Sequence, residues 1–122
     1  MTVKEFYDAI GGDYSEAKNR LINDAFISRM LAKFAENNTF DEILKSYKNR
    51  DFQTLFSSVH AFKGVVGNLA LTSLYKISEV ITEKTRNVKE VKEDNGLNLD
   101  EEIEELNNRY QAFIKAYIEL IA

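Results

Sequence analysis

The feature that most restricts the fold of this chain is the complete absence of proline from its 122 residues. Proline interrupts a helix more reliably than any other residue, because it lacks a backbone N–H and clashes with the preceding turn. Only five glycines are present, so few positions favour a break of another kind. The chain can therefore carry long uninterrupted helices, and no stretch has the alternating pattern that predicts a strand.

Four helix starts share one pattern, in which a short polar residue is followed three positions later by glutamate. In such a capping box the first side chain accepts a hydrogen bond from an unpaired backbone N–H, and the glutamate accepts one in return. The four pairs are Thr2 with Glu5, Asp13 with Glu16, Thr39 with Glu42, and Asn98 with Glu101. Asp51 and Thr72 are further candidate caps. These caps and the apolar periodicity predict helices over 2–10, 14–36, 40–48, 52–69, 72–91 and 99–121.

The last of these helices has the clearest apolar face. Its apolar residues alternate in steps of four and three, as one buried helix face requires: Leu99, Ile103, Leu106, Tyr110, Phe113, Tyr117 and Leu120. Ile114, Ile118 and Ile121 widen this face, so we expect the helix to be well buried. Four long amphipathic helices with short links predict an all-α, antiparallel four-helix bundle, with additional short N-terminal and connecting helices at 2–10 and 40–48. We expect residues 1–122 to form a single domain.

Composition and charge exclude several classes of function. The chain has no cysteine and one histidine, which removes disulfides, thiolate metal sites and histidine-rich zinc sites, so we expect no metal site. A net charge of −4 gives no support for nucleic-acid binding, which normally uses a basic face. No apolar run approaches the ~18–20 residues of a membrane span, and a signal-peptide pattern is lacking. We expect a cytoplasmic protein that binds neither nucleic acid nor membrane, and the initial methionine favours a free-standing unit.

Segment 51–69 carries a surface pattern that stability alone does not require. Its buried face is formed by five apolar residues, Leu55, Val59, Phe62, Val66 and Leu69. His60, the only histidine, lies about 140° from the centre of that face at ~100° per residue, so its side chain points outward. The same outer face also carries Gln53, Gly64 and Gly67, and Phe56 and Lys63 lie on its flank.

The two glycines are unusual in the middle of a helix. Together they cost ~1–2 kcal/mol relative to alanine, and packing of the buried face does not offset this cost on the outer face. Beside His60 they leave space for a bulky partner or a phosphoryl group to reach a ring nitrogen. Two explanations without function also remain. Another element, such as helix 2–10, could pack closely over the glycines, or Gly67 could simply loosen the end of the helix.

Lys63 follows His60 by three residues, so the two side chains are neighbours on the helix surface. The positive charge of Lys63 offers a cation to an incoming dianion. A neutral ring nitrogen can attack phosphorus without a separate base. An ordinary surface histidine and lysine are the alternative interpretation of this pair.

The stretch HAFKGVVGNLALTSL, from His60 to Leu74, resembles the signature of the histidine-containing phosphotransfer family, which is roughly His-x-Leu-Lys-Gly-x-Ala-x-x-Leu-Gly-Ala-x-x-Leu. The identical positions are His60, Lys63, Gly64, Leu69 and Leu74, and Phe62 and Val66 replace the family's leucine and alanine. The second glycine of the pattern falls on Ala70 and the alanine after it on Leu71. The order of the helices fits as well, so the resemblance extends over residues 3–121.

The resemblance implies a phosphorelay intermediate. His60 would accept a phosphoryl group from an aspartyl phosphate of a response-regulator receiver domain and pass it to another receiver, and Lys63 would stabilise the charge of that group. Gly64, Gly67, Gln53 and Phe56 would belong to the face that docks the receiver. The partner, a separate receiver or one within a hybrid histidine kinase, would supply Mg²⁺. This chain would be a monomer with no bound cofactor and no kinase activity of its own. The alternative is a helical-bundle adaptor that binds a receiver or another helical partner without being phosphorylated.

Overall fold

The computed structural model describes residues 1–88 and 96–122, and all the regular secondary structure within these ranges is helical. The helices in chain order are α1 (Val3–Ala9), α2 (Tyr14–Leu21), α3 (Asp24–Glu36), α4 (Thr39–Lys48), α5 (Phe52–Asn68), α6 (Thr72–Arg86) and α7 (Asp100–Ile121). None of these seven is long and apolar enough to cross a membrane. The predicted all-α class is confirmed for this part of the chain, whereas residues 89–91 of the predicted helix 72–91 lie outside the described residues.

The prediction of one helix over 14–36 is wrong, because the chain breaks between α2 and α3. Ile22 has a left-handed backbone with φ at 73°, and the Asn23 side chain accepts a hydrogen bond from the Phe26 N–H at 2.9 Å. Two signals for this break were present in the sequence. Asparagine is a strong capping residue, and the apolar face jumps six residues from Leu21 to Ile27.

Side-chain caps start several of the helices where they were predicted. Thr2 and Glu5 form the reciprocal capping box of α1, with hydrogen bonds of 3.0 and 2.8 Å. Asp13 and Asp51 each accept a hydrogen bond from the backbone N–H three residues on, at 3.0 and 3.1 Å. The remaining predicted caps are displaced by one residue, since Asn38, Leu71 and Leu99 occupy the cap positions instead of Thr39, Thr72 and Asn98.

Side chains from all seven described helices meet in one apolar cluster. At its centre the ring of Phe34 in α3 lies 5.5 Å from that of Phe62 in α5 and 5.0 Å from that of Phe113 in α7. Phe40 of α4 stacks on Tyr110 of α7 with ring centres 3.9 Å apart. Aromatic pairs of this kind add to the stabilisation from apolar burial. Since α5 packs between α4 and α6, the core orients this helix and leaves its opposite face exposed.

The five apolar residues predicted to form the buried face of α5 are all buried, which confirms the orientation of this helix. The prediction that α7 is well buried is wrong near its end, where Ile118 and Ile121 are 59% and 63% exposed. Ile118 lies about 140° around the helix from the buried Phe113, outside the strip that contacts other helices. Ile121 is the last residue of α7, at the end of the chain.

Candidate functional site

The site predicted from the sequence lies on the exposed face of α5. His60, Gln53 and Gly64 are exposed, and Lys63 is half-buried. Within residues 1–88 and 96–122, a Cβ atom placed on Gly64 would meet nothing within 4 Å apart from its own helix and chain neighbours. Helix α1 packs instead against α7, α2 and α3. The idea that the N-terminal helix covers Gly64 is therefore wrong, and the surface one turn from His60 is open within the described chain.

Gly67 lies in a different environment although it is less than one turn from Gly64. A Cβ atom on Gly67 would lie 3.2 Å from Cδ2 of Tyr75 in α6, closer than ordinary van der Waals contact. Its carbonyl oxygen also accepts a hydrogen bond from Arg20 of α2. Any side chain at this position requires the Tyr75 ring to move by a few tenths of an ångström, so the element that crowds Gly67 is α6 rather than the N-terminal helix.

The imidazole of His60 is stacked on the ring of Phe56, one turn earlier on α5. The two ring centres are 5.7 Å apart and the planes differ by 6°. Phe56 is partly buried, and the guanidinium carbon of Arg86 in α6 lies 5.4 Å from its ring centre. Phe56 thus contacts His60 on its own helix and Arg86 on the adjacent helix.

Charged groups of α6 lie close to the site. Arg86 donates two hydrogen bonds to Glu83, from Nη2 to Oε1 at 2.9 Å and from Nε to Oε2 at 3.3 Å. These bonds and the charge of Arg86 lower the pKa of the Glu83 carboxyl, and the nearby charge of Lys63 lowers it further. Lys63 of α5 and Glu83 of α6 are therefore close enough for their charges to interact.

A groove of about 680 Å³ extends from Lys63 and Gly64 between α2, α5 and α6. Its charged lining is mixed: the cations are Arg20, Lys63 and Lys76, and the carboxylates are Glu16 and Glu79. Arg20 is paired with Glu16 across one turn of α2. The groove gives a partner access to Lys63, on the flank of the exposed face of α5 that carries His60.

The turn after α5 depends on the backbone conformation of Ala70. Ala70, at the position of the family's second glycine, is left-handed with φ at 54°. Its N–H donates to the Gly67 carbonyl at 3.1 Å, and its carbonyl accepts from the Asp13 N–H at 2.9 Å. Glycine adopts this conformation without the steric cost that a Cβ atom brings. Ala70 therefore adopts the left-handed conformation that glycine would favour at this position.

Sequence reasoning missed two side chains of the site, Tyr75 and Arg86. Both belong to α6 and reach the site only because α6 packs beside α5. Their spacing from His60 carries no periodic signal, so tertiary packing was needed to find them. The site residues that were predicted from the sequence all lie on α5: His60, Lys63, Gly64, Gly67, Gln53 and Phe56.

Among the described residues, no group of three or more histidine, cysteine, aspartate or glutamate side chains is arranged to hold a metal ion. No family model, curated protein or solved structure matches the chain.

Proposed function

We propose that this chain is a histidine-containing phosphotransfer domain that carries a phosphoryl group on His60. The observation that carries the proposal is the single, exposed histidine of α5 with Lys63 beside it and the uncovered Gly64 one turn away. The left-handed turn at Ala70, where the family pattern has glycine, supports the same assignment. In this proposal α3, α5, α6 and α7 form an antiparallel four-helix bundle, and α1, α2 and α4 are the additional short helices.

The proposed reaction is a reversible transfer between nitrogen and oxygen. The unprotonated ring nitrogen of His60 attacks the phosphorus of an aspartyl phosphate on the partner. An N–P bond forms while the acyl O–P bond breaks, and the aspartate leaves as a carboxylate. In the second transfer an aspartate oxygen of an acceptor receiver attacks the phosphohistidine, and the imidazole is the leaving group. Neither step consumes a nucleotide, so the chain needs no kinase activity of its own.

The neighbours of His60 have distinct roles in this reaction. The ammonium group of Lys63 offsets negative charge on the phosphoryl group, which is most valuable where that charge is concentrated during transfer. Gly64 leaves the space through which the partner approaches, and Gln53 contributes to the polar part of the docking face. The partner is a receiver domain, free or in a hybrid histidine kinase, and it brings the Mg²⁺ ion. We expect this chain to act in the cytoplasm as a monomer.

The experiment is incubation with a panel of receiver domains carrying aspartyl phosphate. We expect acid-labile, base-stable phosphate on the wild-type chain. His60→Gln should abolish the label completely, because the chain has no second histidine. Ser57→Ala is the matched control, since it changes an exposed hydroxyl on the same helix and should leave the label intact.

Two results would contradict the proposal. Label that survives in His60→Gln, or that has the stability of a serine phosphate, would exclude His60 as the acceptor. Saturable receiver binding without any phosphorylation of the wild-type chain would favour the adaptor function instead.

A further inference from the structure

The contact between His60 and Phe56 has a consequence for how the imidazole is presented. An exposed histidine on a helix normally samples several rotamers, and each rotamer points the ring nitrogens in a different direction. Here the imidazole lies nearly parallel to the Phe56 ring, with centres 5.7 Å apart and planes 6° apart. Aromatic rings at this separation attract each other, and side chains four residues apart on a helix are in reach. The stack therefore favours one orientation of the imidazole plane.

Phe56 is itself held by a contact from the adjacent helix. The guanidinium of Arg86 lies over its ring at 5.4 Å, a distance within the range of a cation–π interaction. Arg86 is oriented in turn by two hydrogen bonds to Glu83 on its own helix. A continuous series of contacts thus runs from Glu83 through Arg86 and Phe56 to His60, and it links α6 to the reactive ring.

We propose that Phe56 is a positioning residue for His60 and that Arg86 keeps the Phe56 ring in place. Transfer between two proteins requires the nucleophilic nitrogen to lie in line with the bond that breaks, and orientation before the encounter lowers the barrier. Phe56 thereby gains a role within this chain, in addition to any contact with a partner. This role rests on the proposed phosphotransfer, whereas the stack itself does not depend on it.

A docking residue and a positioning residue have different kinetic signatures. Loss of a docking contact raises the receiver concentration needed for half-maximal transfer and leaves the maximal rate unchanged. Loss of a positioning contact lowers the maximal rate. For Phe56→Leu we expect the maximal rate to fall ~3–10-fold, which corresponds to about 0.7–1.4 kcal/mol of barrier. Phe56→Tyr keeps the aromatic ring and should restore most of the rate.

Proton NMR tests the stack without any partner. The chain contains one histidine, so its two imidazole carbon-bound protons can be assigned without ambiguity. The Phe56 ring current should shift these protons upfield in the wild type and in Phe56→Tyr, and the shift should be lost in Phe56→Leu. Arg86→Gln should reduce it, because the phenyl ring gains freedom. Phe26→Leu is the matched control, because Phe26 is also partly buried beneath an arginine, Arg29 at 5.4 Å, but lies on α3.

The outcomes separate this inference from the proposed function. Imidazole signals that do not change in Phe56→Leu would overturn the stack. A lost ring-current shift with a wild-type maximal rate would overturn the positioning role, and unchanged signals in Arg86→Gln would overturn the role of Arg86. If the wild-type chain accepts phosphate from no receiver, the proposed function fails together with the positioning role, while the NMR signals still decide whether the stack exists.

Discussion

Gly64 and Gly67 lie within one turn of each other on α5, yet the surroundings of the two glycines are opposite. No atom of the described residues outside the helix itself approaches the position of a Cβ atom on Gly64, whereas Tyr75 would lie 3.2 Å from a Cβ atom on Gly67. Stability would favour alanine at Gly64, because glycine in a helix costs ~0.5–1 kcal/mol relative to alanine. At Gly67 the contact between α5 and α6 favours the smallest residue.

Two separate questions therefore apply to a glycine within a helix. One asks whether packing leaves too little room for a side chain, as at Gly67, where a Cβ atom would crowd the ring of Tyr75. The other asks what the open space is for when folding does not require it. At Gly64 the space lies one turn from the only histidine and beside Lys63, so we assign it to the approach of a partner.

Gly64→Gln should nearly stop transfer while the protein stays folded. The added side chain enters the space through which the receiver approaches, and a displacement of the reacting groups by about 1 Å can cost ~100-fold in rate. The melting temperature should stay equal or rise, because glutamine is a better helix former than glycine. Transfer assays quenched at a series of times give the rate, and thermal melts on the same preparation give the melting temperature.

Gly67→Gln is the matched control and should give the reverse result. Overpacking at the Tyr75 contact should lower the free energy of unfolding by ~1–3 kcal/mol, and transfer should fall only with the folded fraction. If both glutamine variants were destabilised alike, the distinction between an open and a packed glycine would be lost.

Among substitutions on the exposed face of α5, Lys63→Ala should slow transfer by the next largest factor. A charge-assisted contact is worth ~1.5–3 kcal/mol, so transfer should slow by ~10–150-fold if most of the contact is made in the transition state. The melting temperature should change little, because surface charges contribute ~0–1 kcal/mol.

Lys115→Ala, an exposed lysine of α7, is the control for the loss of one positive charge. Wild-type rates in Lys63→Ala with several receivers would mean that the phosphoryl group does not contact this side chain. Equal slowing in both lysine variants would instead indicate a long-range effect of net charge.

Asp51→Ala should have the smallest effect and act on α5 as a whole. The hydrogen bonds from the side chain and backbone of Thr54 lower the pKa of the Asp51 carboxyl below 3.8. The stabilisation by the ionised Asp51 carboxylate is therefore complete at pH values above the pKa of this group in the unfolded chain. It is lost as the pH falls through the lower pKa of the folded state. We expect a loss of ~0.5–2 kcal/mol near neutral pH and a smaller difference between variant and wild type at acidic pH.

Thermal melts of both proteins across the acidic range measure this difference. Asp51→Asn is the control, because asparagine caps helices well without titrating. Since Asp51 contacts neither glycine, a transfer defect in Asp51→Ala beyond its unfolded fraction would mean that receiver docking depends on more than the exposed face of α5. A pH-independent difference would exclude the ionised carboxylate as the source of the stabilisation.

Local patterns predicted much of the fold because the physical causes are themselves local. The capping box of Thr2 and Glu5 and the caps at Asp13 and Asp51 depend on atoms a few residues apart. Periodicity identified the buried face of α5 because burial of one face requires a repeat near ~3.6 residues. The same reasoning failed at Ile22, where the apolar face has a gap between Leu21 and Ile27 and the Asn23 side chain caps a new helix.

The order of residues along α5 was enough to predict that His60, the only histidine, points away from the buried face and that Lys63 and Gly64 are its neighbours. Helix geometry is sufficient for each of these statements, since all three residues share one helix. Only the tertiary structure separated the two glycines and brought Arg86 over Phe56. Those contacts join α5 to α6, and their geometry depends on how the two helices pack rather than on the spacing of residues along either one.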